Sequence, residues 1–328
     1  MKTALVLGIT GGFGGQVAAA LAADGWRIRA LVRDPARLAA RWQVVEVLRG
    51  DAARIEDVTR AAEGVDVIVY GVNAPYPKWD GTVLPWLDVS AQVAETEKLT
   101  IVFPGNIYNY DPADGPLFDE RAPMRPVSHK GELRVAMETR LRRASERGAR
   151  VLILRCGNFI GAGAPGSWLA HLLKRNRNRR GYVLSATGAR DLKHAWAYLP
   201  DVAQTIAALL ARAATLPAFS VFHFRGHEAS FDDIAATVRA RTGERVRPKR
   251  FPWWLLRLAS PVSPWFRSLV EMRYLWEADI RLDDTALAQT LTGNAPCTPL
   301  ADVLTAAGLI GGAPKEPSRD ADHVRAPS

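Results

Sequence analysis

The 328-residue chain, 48% hydrophobic, is long enough to bury a doubly wound sheet plus a smaller lobe. Its two cysteines, Cys156 and Cys297, give neither a disulfide framework nor a metal-ligand spacing, so no bound metal is expected. A net charge of +9 raises nucleic acid as a partner, but the basic residues are scattered apart from Lys174-Arg175-Asn176-Arg177-Asn178-Arg179-Arg180 and accompany no nucleic-acid motif; that run reads as a solvated helix end or a site for an anionic substrate.

Met1-Lys2-Thr3-Ala4 leads directly into an apolar strand, Ala4 to Leu7, so no signal peptide is expected and the expected location is the cytoplasm. The strand is followed by Gly8-Ile9-Thr10-Gly11-Gly12-Phe13-Gly14, a helix from Gln16 to Ala23, a stop at Asp24-Gly25 and a second strand, Arg27 to Val32. This is one βαβ unit. Glycines at 8, 11 and 14 let the turn close tightly, approach a pyrophosphate and pack the helix on the strand, which makes Gly8, Thr10, Gly11, Gly12, Phe13 and Gly14 candidate cofactor contacts. A purely structural glycine turn is the alternative. Arg33, at the tip of the second strand, suits a ribose 2′-phosphate, so NADP(H) is preferred over NAD(H); Asp34 beside it can instead pair with Arg33 or Arg37 on a solvated surface.

The spacing G-x-x-G-x-x-G, with Thr10-Gly11 ahead of Phe13, resembles that of extended and atypical short-chain dehydrogenases/reductases. A third strand, Val44 to Leu48, leads to Asp51 and Ala52, and a fourth, Val65 to Tyr70, to Asn73 and Ala74. Both resemble the family's adenine-side Asp and its Asn-Ala-Gly-like loop, without the final glycine. The resemblance implies an α/β, Rossmann-like, doubly wound parallel sheet with a smaller C-terminal substrate lobe. Residues 1–160 are read as the NADP-binding domain, with later strands contributed from 185–225, and 161–310 as the interleaved lobe. Residues 311–328, rich in Gly, Pro and charge, read as a disordered tail.

Most members of that family use Ser, Tyr and Lys, the last two spaced Y-x-x-x-K on one helical face. Here the seven tyrosines are followed at the fourth position by Ala74, Asp80, Pro112, Asp114, Ala186, Val202 and Ala278, never by lysine. Thr100 to Tyr108 still resembles the family's fifth strand and its loop, with Pro104 near the usual serine. Aligning Glu138 with the family's common helix glutamate puts Lys130 at the tyrosine position and Arg134 at the lysine position, a spacing also similar to the K-x-K-V-R-R-x-I-E helix of the isoflavone reductase-like branch. That similarity implies a catalytic or cofactor-orienting Lys130, provided its ammonium is partly desolvated. The bland reading is a surface Lys130, with Arg134 paired to Glu138 at i, i+4. Asn106 and Tyr108 are further catalytic candidates on the strand-five loop, Tyr108 with packing under the loop as its alternative, and His129 ranks lower because neighbouring helical residues point about 100° apart.

Val151 to Leu154 continues as Arg155-Cys156-Gly157-Asn158-Phe159-Ile160-Gly161, which resembles the segment where extended members contact the nicotinamide and cross into the substrate lobe. The resemblance makes Cys156 and Asn158 candidate cofactor contacts and Phe159 a pocket residue; Trp168, Lys193 and His194 complete the candidate substrate set. Asp201 reads as a helix-start residue that caps N–H groups. The stretch Phe251 to Phe266 holds Arg257 and three prolines, so it is not a transmembrane helix; it reads as lobe packing, with a cap on the lobe, a subunit contact in a homodimer or a membrane surface also open. Three functions fit: an NADP(H)-dependent oxidoreductase acting on a small metabolite without the usual triad, a nucleotide-sugar epimerase or dehydratase, and an NADP(H)-sensing regulator without turnover.

Overall fold

Ala4-Leu5-Val6-Leu7 and Val67-Ile68-Val69-Tyr70 lack charged side chains because the strands they form are covered on both faces. The computed structural model describes residues 1–38, 42, 45–161, 167–176 and 180–311. Its first half runs β1 (Thr3–Leu7), α1 (Gly12–Ala23), β2 (Arg27–Val32), β3 (Glu46–Arg49), α2 (Ile55–Ala62), β4 (Val67–Tyr70), α3 (Val83–Thr96), β5 (Thr100–Asn106), β6 (Leu117–Phe118), α4 (His129–Glu146) and β7 (Arg150–Cys156). Then follow β8 (Asn158–Ile160), α5 (Trp168–Leu172), β9 (Leu173–Arg175), β10 (Tyr182–Ala186), β11 (His194–Tyr198), α6 (Leu199–Ala211), β12 (Phe219–Phe224), β13 (His227–Ala229) and α7 (Phe231–Thr242). The last elements are β14 (Val246–Arg250), α8 (Trp253–Ala259), α9 (Pro264–Glu271), β15 (Arg281–Leu282), α10 (Thr285–Leu291) and α11 (Leu300–Ala306).

The central sheet has seven parallel strands in the order β12-β7-β5-β4-β1-β2-β3. Chain order reverses between β1 and β4, the point at which such sheets bind ligands beyond the strand carboxyl ends. One face is covered by α1 and α6, whose Val17, Leu21, Val202, Ile206 and Leu209 pack on Val6 and Val69. The other is covered by α2, α3 and α4 through Val58, Leu87, Met137 and Leu141 against Leu5, Ile68 and Ile153. Of the strands in 185–225, β12 returns to the central sheet, whereas β11 joins β8 and β13 in the lobe. The lobe has its own core around Leu184, Trp196, Phe231 and Trp276. The tail expectation for 312–328, the start of strand three at Val44 and Arg177 to Arg179 of the basic run lie outside the described residues.

Asp201 differs from its helix-capping reading. It sits in the first turn of α6, but its carboxylate accepts from the Thr298 backbone N–H and hydroxyl, both at 2.7 Å, and so ties the loop ahead of α11 to the start of α6. Arg155 is also spoken for. Buried in β7, it donates to Glu138 of α4 at 2.6 Å and to Tyr110, whose hydroxyl lies 2.8 Å from His223 Nε2. Asn109 donates to the same Glu138 at 2.8 Å. A buried charge needs such partners, because leaving one unpaired costs about 3–5 kcal/mol.

Burial holds the His194 and His223 imidazoles down to about 4, against an ordinary 6.5, with the Arg155 guanidinium adding to the effect on His223. Between those values the unfolded chain binds more protons than the folded one, so stability rises with pH across the window and is lost on acidification. Thermal melting from pH 6.5 to 5, above the ordinary carboxylate range, is expected to show a falling melting temperature, with a shallower fall in His194→Phe. A melting temperature flat over that interval would contradict the buried neutral histidines.

Candidate functional site

The carboxyl ends of β1 and β4 and the start of α1 meet backbone to backbone. Gly8 has φ +85°, and a Cβ there would lie 2.5 Å from the Gly71 carbonyl oxygen. A Cβ on Gly14 would lie 2.5 Å from the Gly8 carbonyl oxygen. Gly11 caps α1 with no side-chain acceptor, its own N–H donating to Gly8 at 2.9 Å, so the N–H groups of the first turn face the sheet's ligand side without a competing cap. A pyrophosphate fits this cradle by close backbone approach and the helix dipole. Phe13 packs 6.4 Å from Phe159, joining the cradle to the crossover into the lobe, while Thr10 is exposed beside it.

Along the adenosine side, Arg33 is exposed just beyond β2. The Asp34 carboxylate accepts from Ala36 N–H at 3.2 Å and caps the short turn Pro35–Arg37. The Asp51 carboxylate accepts from Ala53 N–H at 3.0 Å, and Ala52 lies in the same turn. Asn73 is exposed; Ala74 is buried, and its carbonyl accepts from Trp79 Nε1 at 2.9 Å. The cradle and this rim place all the N-terminal cofactor candidates along one edge of the sheet.

At the end of β5, Asn106 Oδ1 accepts from Tyr108 N–H at 3.0 Å and caps the turn Ile107–Asn109. That turn aims the Tyr108 hydroxyl at the Tyr76 hydroxyl, 2.6 Å away. Burial, and then the neighbouring Tyr76, push the Tyr108 phenol well above its usual range; burial also raises Tyr76 and Tyr274. Lys130, in the first turn of α4, is buried, its ammonium 5.5 Å over the Tyr76 ring. Its Nζ donates to Glu271 Oε2, and its backbone N–H to Glu271 Oε1 at 2.8 Å. Arg134, also buried, donates to the Pro104 carbonyl and lies 4.7 Å over the Phe103 ring, and burial lowers its pKa. Neither residue is on the surface, and the i, i+4 spacing of Arg134 and Glu138 is not used as an ion pair, because Arg155 holds Glu138.

Glu271, Tyr76 and Tyr274 were not picked out from sequence. Glu271 stands 141 residues from Lys130 in α9, and no spacing rule connects them. Exposed His129 bonds Asp80 and Glu132 rather than joining this cluster, and those two carboxylates raise its pKa, Asp80 most. Cys156 is buried in the sheet core, where burial pushes its thiol up, and Asn158 donates to the Ala195 carbonyl at 3.5 Å. Trp168 and His194 pack on Trp276, at 5.3 and 5.0 Å, in the lobe core; Lys193 is exposed. Cavities in the lobe, one lined by Arg175, Tyr182, Arg241 and Glu244 and one by Leu184, Phe231 and Pro248, share no residue with the tyrosine and lysine cluster. Among the described residues no three His, Cys, Asp or Glu side chains are grouped to hold a metal ion, and no helix is long and apolar enough to cross a membrane.

Residues 8–120 match the family model described as NAD(P)H-binding. Over 175 residues the chain is 33% identical to a dTDP-6-deoxy-L-talose 4-dehydrogenase (NAD(P)(+)) of Kitasatospora kifunensis, covering 49% of this chain and 54% of that protein, about half of each. Similar folds include a candidate epimerase from Burkholderia cenocepacia, with TM-score 0.74 and 18% identity over 93% of this chain and 96% of that one. A UDP-glucose 4-epimerase from Bifidobacterium longum in complex with NAD+ and UDP has TM-score 0.70 and 16% identity, over 94% and 97%. Residues 8–120 thus match an NAD(P)H-binding model, and the chain has the Rossmann-like fold of those solved structures.

The glycine convergence can be tested by a single methyl group. Gly14→Ala is expected to lower stability by about 1–3 kcal/mol, the usual cost of overpacking, and to weaken NAD(P)H binding at least tenfold. Denaturant melts and fluorescence titration measure the two, and wild-type values for both would rule the convergence out as a constraint.

Proposed function

We propose that the protein is an NADP(H)-preferring oxidoreductase that interconverts an alcohol and a carbonyl on a small molecule of the nucleotide-sugar class. The observation that carries this reading is the Tyr76 and Tyr108 hydroxyl pair, 2.6 Å apart, set beside buried Lys130 at the carboxyl end of β5. The bound cofactor supplies or accepts the hydride. Tyr108, kept protonated at neutral pH by burial, donates its proton to the substrate oxygen during reduction and takes one back from solvent when the alcohol leaves, while the Tyr76 hydroxyl stays hydrogen-bonded to it. Lys130, bonded to Glu271 and lying over the Tyr76 ring, orients the pair, and Arg134 fixes the strand end through the Pro104 carbonyl. Asn106 holds the turn that carries Tyr108.

The NADP preference rests on exposed Arg33, with the neighbouring Asp34 carboxylate engaged in its turn. The sugar class is supported by the name of the Kitasatospora relative and by epimerases among the similar folds. Two other readings keep specific support. An epimerase would return the hydride to the same carbon, in keeping with those folds, and a sensor without turnover is favoured by the Glu271 carboxylate occupying Lys130.

With the 4-keto counterpart of dTDP-6-deoxy-L-talose and NADPH as probes, consumption of NADPH is expected, and Tyr108→Phe is expected to lower kcat by about 10²–10⁴ with KM little changed. Full turnover in Tyr108→Phe would remove the phenol from the mechanism; isomerisation of dTDP-6-deoxy-L-talose with no net change in NADP(H) would favour the epimerase. Separately, Arg33→Ala should weaken NADPH binding by about 10–100-fold, the worth of a charged hydrogen bond, and leave NADH nearly unchanged. Equal losses for both cofactors in a fluorescence titration would overturn the preference.

A further inference from the structure

From Arg245 to Val270 the chain holds no Asp or Glu but six basic residues, Arg245, Arg247, Lys249, Arg250, Arg257 and Arg267. Arg247, Lys249 and Arg250 are exposed along β14, and Arg257 and Arg267 on α8 and α9. Between these charges the hairpin of α8 and α9 exposes apolar side chains: Trp254 is 67% exposed, Leu258 74% and Val262, at the tip, 86%, while Leu255, Trp265 and Phe266 are exposed as well. Among the described residues none covers these side chains.

The hairpin is firmly rooted. Trp253 is buried, with Nε1 donating to the Thr187 carbonyl at 2.6 Å, Phe251 N–H donates to the Ala186 carbonyl at 2.8 Å, and Glu271 ends α9 on Lys130. Its tip is closed by Ser263 N–H on the Ala259 carbonyl at 3.1 Å, and Arg267 braces the Pro261 carbonyl at 3.0 Å. Helices of seven and eight residues are about 10–12 Å long, far short of a roughly 30 Å hydrocarbon core, so neither can span a bilayer. Apolar tip residues with tryptophans, flanked by basic side chains, match the headgroup boundary of an anionic bilayer instead.

We propose that the α8–α9 hairpin docks the protein onto an anionic phospholipid surface, Trp254, Leu258 and Val262 entering the headgroup boundary while the acid-free basic segment engages lipid phosphates. The partner follows from charge complementarity together with the apolar tip: a neutral apolar partner would leave the basic residues without a role, a purely ionic one would leave Trp254, Leu258 and Val262 in water, and an anionic headgroup layer over hydrocarbon meets both. The inference stands apart from the reaction, since no catalytic group takes part. Because α9 ends on Lys130 and packs against the turn Tyr76–Lys78, the docked bilayer would lie beside the rim of the candidate site.

The test is flotation of the full-length protein with phosphatidylglycerol–phosphatidylcholine vesicles and with phosphatidylcholine vesicles, at low salt and at 0.5 M NaCl. Binding is expected to the anionic vesicles and to fall at high salt. Leu258→Glu with Val262→Glu should reduce it at least tenfold, and Lys249→Gln with Arg257→Gln about 25-fold, taking about fivefold per basic residue. Unchanged melting temperature and NADPH affinity in both variants check that they are folded. No binding to anionic vesicles, binding that the Leu258→Glu/Val262→Glu variant retains, or a dimer that this variant converts to monomer without vesicle binding in the parent would each overturn the proposal, the last in favour of a subunit contact.

Discussion

Three backbones share one point in this molecule, and the rest of the site is arranged around it. The carbonyl of Gly8 lies where a Gly14 side chain would be, and the carbonyl of Gly71 where a Gly8 side chain would be. A side chain at either position would push α1 off the sheet or β4 away from β1. Their absence keeps the first turn of α1 directly over the strand ends, where its N–H groups can meet phosphate. Everything downstream, from the Arg33 rim to the end of β5, is measured from that fixed start.

At the other end of the ligand crevice, buried polar groups take over from close packing. Tyr76, Tyr108, Lys130, Glu271 and Arg134 come from loops and helices far apart in the chain, and each has a partner that limits its position. The Lys130–Glu271 contact also joins the sheet domain to the lobe, since α9 belongs to the lobe and α4 to the sheet. An ion pair with so little exposure gives back in Coulomb energy much of what its desolvation takes, and its larger value is in holding two bodies in one orientation. Nearby, Arg155 and Glu138 do the same between β7 and α4, deep enough that neither partner can be removed without leaving a charge stranded.

The sheet was legible in the sequence because its signals are local. Val6, Val69 and Ile153 lie in short continuous apolar runs that mark strands buried on both faces, and Gly8 to Gly14 stands between such a run and a helix, the context a dinucleotide cradle needs. The first strand boundaries moved by a residue or two, and the helix after the glycines starts at Gly12 rather than Gln16, because the glycines themselves form its first turn. Lys130 and Tyr108 were singled out through the resemblance of their segments to known relatives, and in the structure both lie against Tyr76. What local pattern missed was the company such residues keep: Asp201 read as a helix cap yet holds Thr298, and Arg134, for which a pair with Glu138 was the alternative reading, holds the Pro104 carbonyl.

By itself, the sequence determined the glycine cradle, the apolar strand runs and the absence of a Tyr-x-x-x-Lys pair, since each depends on residues within a few positions of one another. Tertiary structure alone decided that Lys130 is closed over by Glu271, that Tyr108 faces Tyr76, and that one side of the tryptophan-rich segment packs inward on Trp253 while the other stays in water. Such choices turn on which distant surfaces desolvate one another. Burial and pairing are properties of the folded chain as a whole, and no short window of residues encodes them.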